Sequence, residues 1–82
     1  MKGFNVKYRS TINIVLPVQD AKKESDFLKK DEIFFIREES PEGKIFPIKY
    51  KLLNKDGFFW KEVDKNFVNF IRSNNKLFIE IK

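Results

Sequence analysis

Residues 4–18 read FNVKYRSTINIVLPV, and their apolar side chains fall on even positions: Phe4, Val6, Tyr8, Ile12, Ile14, Leu16 and Val18, with only Ser10 interrupting. Alternation at period two marks a half-buried strand, because successive side chains leave a pleated backbone toward opposite faces. The other face reads Asn5, Lys7, Arg9, Thr11 and Asn13, which is polar and partly basic. The stretch is long for one strand, so a bend or bulge is expected near Ser10 and Thr11. Pro17 has no N–H for a ladder, which puts that end at an edge or at the strand's exit.

Working outward, residues 20–31, DAKKESDFLKKD, contain only Phe27 and Leu28 as large apolar side chains. A short helix capped by Asp20 or Ser25 and a charged loop both fit that stretch. EIFFIREE and KIFPIKYKLL follow, separated by Ser40-Pro41-Glu42-Gly43. Proline fixes φ and glycine accepts positive φ, so this is a hairpin turn. Ile33, Phe34, Phe35 and Ile36 leave no polar face, which predicts a strand buried on both sides. In the next strand Phe46, Ile48, Tyr50 and Leu52 share one face, and Pro47, Lys49 and Lys51 share the other.

Asn54-Lys55-Asp56-Gly57 is a second turn, followed by the strand FFWKEV. Asp64 caps a short helix, DKNFVNFIRSNN, with Phe67, Phe70 and Ile71 as its apolar stripe and Asn74 and Asn75 as left-handed stops. KLFIEIK closes the chain, with Leu77, Ile79 and Ile81 alternating with polar residues apart from Phe78. The expected fold is mainly β with one short helix, α+β in class. It is a small curled antiparallel sheet or a small β-barrel in the order β-β-(α/loop)-β-β-β-α-β. Residues 1–82 make a single small domain.

The composition excludes more chemistry than it suggests. The 82 residues hold ten Phe, one Trp and two Tyr but neither His nor Cys. Imidazole bases, thiol nucleophiles, disulfides and the common zinc sites are therefore unavailable. Three glycines form no phosphate loop and no nucleophile elbow. No enzymatic activity and no cofactor are expected. Glu38, Glu39 and Glu42 around the Pro41 turn read as a charged hairpin tip that keeps an edge soluble, in preference to a hard-cation site. The chain shows neither a secretory leader nor an apolar run of membrane-spanning length, so a cytoplasmic location without membrane association is the default.

Net charge is +5 and unevenly spread. Residues 1–19 carry +3, residues 20–42 carry −3 and residues 43–61 carry +4. If the two basic segments meet in the fold they make a patch that favours polyanionic partners. Lys7 and Arg9 share one face of the first strand, and Lys49 and Lys51 share one face of a later one. In Phe58-Phe59-Trp60 the rings cannot all point one way, and Lys61 has the parity of Phe59. The candidate nucleic-acid or partner-binding residues are therefore Lys7, Arg9, Lys49, Lys51, Phe59, Trp60 and Lys61. The plain alternative is that these lysines are the solvated side of an antiparallel sheet. The aromatic consensus of the common RNA-recognition sheet and the Gly-x-x-Gly clamp are both missing.

Two functions follow from these residues. One is a small non-enzymatic protein that docks on a larger protein or ribonucleoprotein complex through a basic and aromatic surface. The other is a standalone RNA- or single-stranded-DNA-binding β domain. A compact chain without an active site, biased toward Lys, Asn, Ile and Phe, is similar in type to phage-borne anti-defence proteins such as anti-CRISPRs, although no motif carries the likeness. That resemblance implies an inhibitor contacting a nuclease, its guide RNA or both. Mimicry of DNA by an acidic surface is excluded by the positive charge. A homo-oligomer through an edge strand at 77–82 is a further expectation.

Overall fold

The computed structural model describes residues 2–17, 23, 26–40 and 48–82, with backbone alone for residues 2–4. In chain order the elements are β1 (Lys2–Ser10), β2 (Ile14–Val15), β3 (Phe27–Leu28), β4 (Ile33–Ser40), β5 (Lys49–Leu53), β6 (Phe59–Val63), α1 (Lys65–Ser73) and β7 (Phe78–Ile81). Five of them form one antiparallel sheet in the order β6-β5-β4-β1-β7, and β2 pairs with β3 in a separate ribbon. The class is α+β as expected. Of the two expected forms the barrel is excluded, because β6 and β7 stand as the two edges of an open sheet.

The fifteen-residue alternation breaks where Ser10 interrupts it. The Ser10 side chain is fully buried. Its Oγ donates to the Ile12 carbonyl at 2.6 Å and accepts from the Ile12 N–H at 3.3 Å, which folds the chain into a bend at residues 11 and 12. The Thr11 N–H and hydroxyl both donate to the Leu77 carbonyl at 2.9 Å and fasten the bend to the chain entering β7. Beyond it Ile14 and Val15 leave the sheet and pair with Leu28 and Phe27. Of residues 20–31, Phe27 and Leu28 form a short strand that neither the helix nor the loop expectation contained, Asp26 before them is in a 3₁₀ turn, and the proposed caps Asp20 and Ser25 lie outside the described residues. Two apolar residues are too few to show a period. The Pro41 turn lies outside the described residues, while β4 and β5 on either side of it pair antiparallel as a hairpin requires.

Helix α1 leaves β6 at one edge and delivers the chain to β7 at the other, so it must cross a face of the sheet. That crossing makes the core. Tyr8, Phe34, Ile36, Tyr50, Leu52, Val63 and Phe78 from the sheet pack with Phe67, Val68 and Ile71 of the helix and Leu16 and Leu28 of the ribbon. Phe34 stacks on Tyr8 at 5.6 Å between ring centroids and meets Phe78 edge-on at 6.3 Å. Asp64 caps the helix, its Oδ1 accepting from the Phe67 N–H at 2.8 Å.

Three expectations change here. The helix buries Val68 and leaves Phe70 43% exposed, with its ring against Phe78, so the buried sector is Phe67, Val68 and Ile71. Asn74 stops the helix at φ −108°, not in a left-handed conformation. Its Nδ2 donates to the Phe70 carbonyl at 2.7 Å and its N–H to Ile71, satisfying the orphan carbonyls without positive φ. Among the described non-glycine residues only Asp31, in the turn after β3, has positive φ, so Asn75 is not left-handed either. Finally, β4 is buried on its core side at Phe34 and Ile36 but only half-buried at Ile33 and Phe35, since no described element covers its second face.

Candidate binding face

With helix and ribbon on one side, strand register decides what the other side carries. One row crosses all five strands: Ile81, Lys7, Phe35, Leu53 and Phe59 stand opposite one another in turn. A second row joins Ile79, Arg9 and Ile33, and a third joins Asn5, Arg37, Lys51 and Glu62. Glu39 and Lys49 stand opposite each other in a fourth. Cations and apolar groups therefore interleave on one surface.

The polar part of this face is organised by Glu39. Its side chain, 9% exposed, accepts at Oε1 from Lys51 Nζ at 2.9 Å and from Arg37 Nε at 3.3 Å. Arg37 Nη1 donates in turn to Asn5 Oδ1 at 3.1 Å, so one network ties β1, β4 and β5 together. The Lys51 hydrogen bond, followed by the charges of Lys51 and Arg37, holds the Glu39 carboxyl below its ordinary range against the opposing effect of desolvation. Elsewhere on the face Lys7 Nζ lies 5.9 Å from the Phe35 ring centroid, a cation–π distance. Arg9 pairs with Asp31 at 3.3 Å, but both side chains are well exposed and the pair is worth little.

A pKa lowered on folding adds stability that is complete above the unfolded carboxylate range and is lost as pH falls through the lowered value. The urea midpoint of the native chain is therefore expected to exceed that of Glu39→Gln at neutral pH, with the gap closing as acidification passes below the ordinary carboxylate range. A gap constant across pH would assign the difference to shape and not to charge.

Of the seven residues singled out in the sequence, Lys7, Arg9, Lys49, Lys51 and Phe59 share this face. Trp60 and Lys61 do not. The register shifts between Leu52 and Leu53, whose partners are Lys61 and Phe59, so Trp60 is an extra residue in the strand. This bulge reverses the parity on which Lys61 was placed beside Phe59. Lys61 lies on the core side with Leu52, where its Nζ meets the buried Asp26 Oδ1 at 2.8 Å. Trp60 is half-buried and packs against the core.

The sequence reading also missed Arg37, which sits in the acidic third of the chain, and the apolar groups Ile33, Phe35 and Ile79. The one available signal was the odd parity of Ile33, Phe35, Arg37 and Glu39 against buried Phe34 and Ile36. Glu39 is a correction too, because it is 7% exposed and locked in a strand, not displayed at a hairpin tip. Glu38, its neighbour, points to the core side and pairs with Arg72 at 3.6 Å.

Among the described residues no group of three His, Cys, Asp or Glu side chains could hold a metal ion. No described helix is long and apolar enough to cross a membrane. Comparison with protein-family models, with curated proteins and with solved structures finds no match, so the face is interpreted from its own chemistry.

Proposed function

We propose that the chain is a non-enzymatic binding protein that docks on a larger ribonucleoprotein by laying the open face of its sheet along a single-stranded segment of the RNA. The observation that carries this reading is the convergence of Lys7, Arg9, Lys49 and Lys51 with Phe59 on one face of the sheet, the face that no described helix or ribbon covers. Single-strand binders combine such cations, which follow phosphates, with rings on which bases stack. Phe59, 62% exposed, is the ring available for stacking. The Glu39 network holds Lys51 and Arg37 in place beforehand, which lowers the ordering cost of binding. A guide-carrying nuclease, the kind of target implied by the anti-defence resemblance, is one complex that would offer such a strand.

Titration of a labelled octauridylate at low and moderate salt tests the reading. Micromolar or tighter binding is expected, with log K falling steeply against log salt because bound phosphates release counterions. No binding at low salt would sink it. A second reading has its own observation: Phe58 and Phe59 are adjacent and exposed at the start of an edge strand, as anchors of a protein contact would be. A pull-down with and without nuclease separates the two, since a partner retained after nuclease treatment favours the protein contact.

A further inference from the structure

The cations of the open face stand in one file. Arg9 and Lys7 follow each other along β1, Arg37 lies diagonally beyond Lys7 on β4, Lys51 stands opposite Arg37 on β5, and Lys49 follows along the same strand. Joined in that order they cross the middle of the sheet obliquely, from β1 to β5. With about 3.4 Å per residue along a strand and about 4.8 Å between strands, the file spans about 22 Å in steps of about 5–8 Å. Such steps are of the order of one nucleotide in an extended strand. Other paths collect less charge. The row through Ile81, Lys7, Phe35, Leu53 and Phe59 meets a single cation, and a path along β1 or β5 meets two.

The two flanks of the file differ. On the β6 side stand Phe35, Leu53 and Phe59, and on the β7 side Ile79 and Ile81. Rings therefore occur on one flank alone. At the described strand positions of this face neither flank holds another cation, and Glu62, opposite Lys51 on β6, places a carboxylate there. Arg37 sits at the centre of the file, its guanidinium held at Nε by Glu39 and at Nη1 by Asn5. Arg9 keeps an exposed pair with Asp31, weak enough for a phosphate to displace.

We infer that a single strand crosses the sheet obliquely along this file, with one phosphate on each of Arg9, Lys7, Arg37, Lys51 and Lys49 and its bases turned toward the rings of Phe35 and Phe59. The footprint is about five nucleotides, near the lower end of the roughly 4–16 found for small single-strand-binding domains. A duplex carries two lines of phosphates and finds cations for one of them. The inference rests on the reading of the open face as a strand-binding surface and adds its path, its length and two contacts, Arg37 and Phe35.

A length series of oligouridylates, from the dinucleotide to the decanucleotide at constant low salt, tests it. Affinity is expected to rise about fivefold with each nucleotide up to about five and by less than about twofold with each one beyond. Arg37→Gln, whose amide can still donate to Glu39, is expected to weaken pentauridylate about fivefold, whereas Lys65→Ala, on the helix across the sheet, leaves it unchanged. Phe35→Leu is expected to cost about tenfold against pentauridylate and nothing against an abasic strand of the same length. An early plateau, a climb that continues past five, a silent Arg37→Gln, equal losses on the abasic strand or a duplex bound as tightly as the single strand each overturn the oblique file and leave the face reading standing. Absence of binding at every length overturns both.

Discussion

The triple substitution Lys7→Ala, Arg9→Ala, Lys49→Ala is expected to weaken octauridylate binding about 100-fold near 0.1 M salt and to flatten the log–log salt slope by about two units. Each cation that neutralises a phosphate of a single strand contributes about 0.7 to the slope, and at that salt about fivefold in affinity. Three lost contacts multiply to the figure given. None of the three side chains is buried, so the folded state is expected to lose less than about 1 kcal/mol. Filter binding across a salt series reads both quantities at once. A variant that loses affinity while keeping the native slope would show that the three cations act through shape or packing and touch no phosphate.

Phe34→Ala carries the largest expected effect on stability. Phe34 lies fully buried on the central strand, stacked on Tyr8 and edge-on to Phe78, so its loss opens a cavity under both the helix and the ribbon. Such truncations cost about 3–5 kcal/mol. A chain of this length has a total stability of about 4–12 kcal/mol. The variant is therefore expected to lose between about a quarter and all of the native stability, as read by urea titration followed by circular dichroism. Phe35→Ala, one residue along and only half-buried on the open face, is expected to cost less than half as much. Equal costs would mean that the open face is packed as tightly as the core, which would contradict its role as a free surface.

Strands with an unbroken period of two announced their faces. Lys7 and Arg9 oppose Val6 and Tyr8, and Lys49 and Lys51 oppose Tyr50 and Leu52, in the sequence as in the sheet. The end of the first strand was legible because a lone serine at a core position needs a hydrogen-bond partner, and a bend supplies one. Arg37 and Glu39 were hidden for a different reason. Their environment comes from Asn5 and Lys51 on neighbouring strands, so an acidic stretch of sequence gives no sign that one of its carboxylates will be buried between two cations. The ribbon escaped notice because two paired residues have no period. The Asn74 stop was misassigned because the sequence does not distinguish an asparagine that adopts positive φ from one that reaches back with its amide.

The parity error at Lys61 has a wider meaning. Nothing in Phe-Phe-Trp-Lys-Glu-Val marks the extra residue; it arises where the strand meets the loop at 54–58, closed by the Asn54 side chain and by Gly57 at φ +84°. What the outer surface displays at this edge therefore depends on a count of residues as much as on their identity. Removal of Trp60 with its bulge would leave Phe59 opposite Leu53 and Lys61 opposite Leu52, each on its present face, whereas flattening the bulge at constant length would turn Lys61 outward beside Phe59 and break the Asp26 pair. Related chains retain both surfaces when they keep the bulge or lose its residue with it, and lose them when the residue stays and the bulge does not.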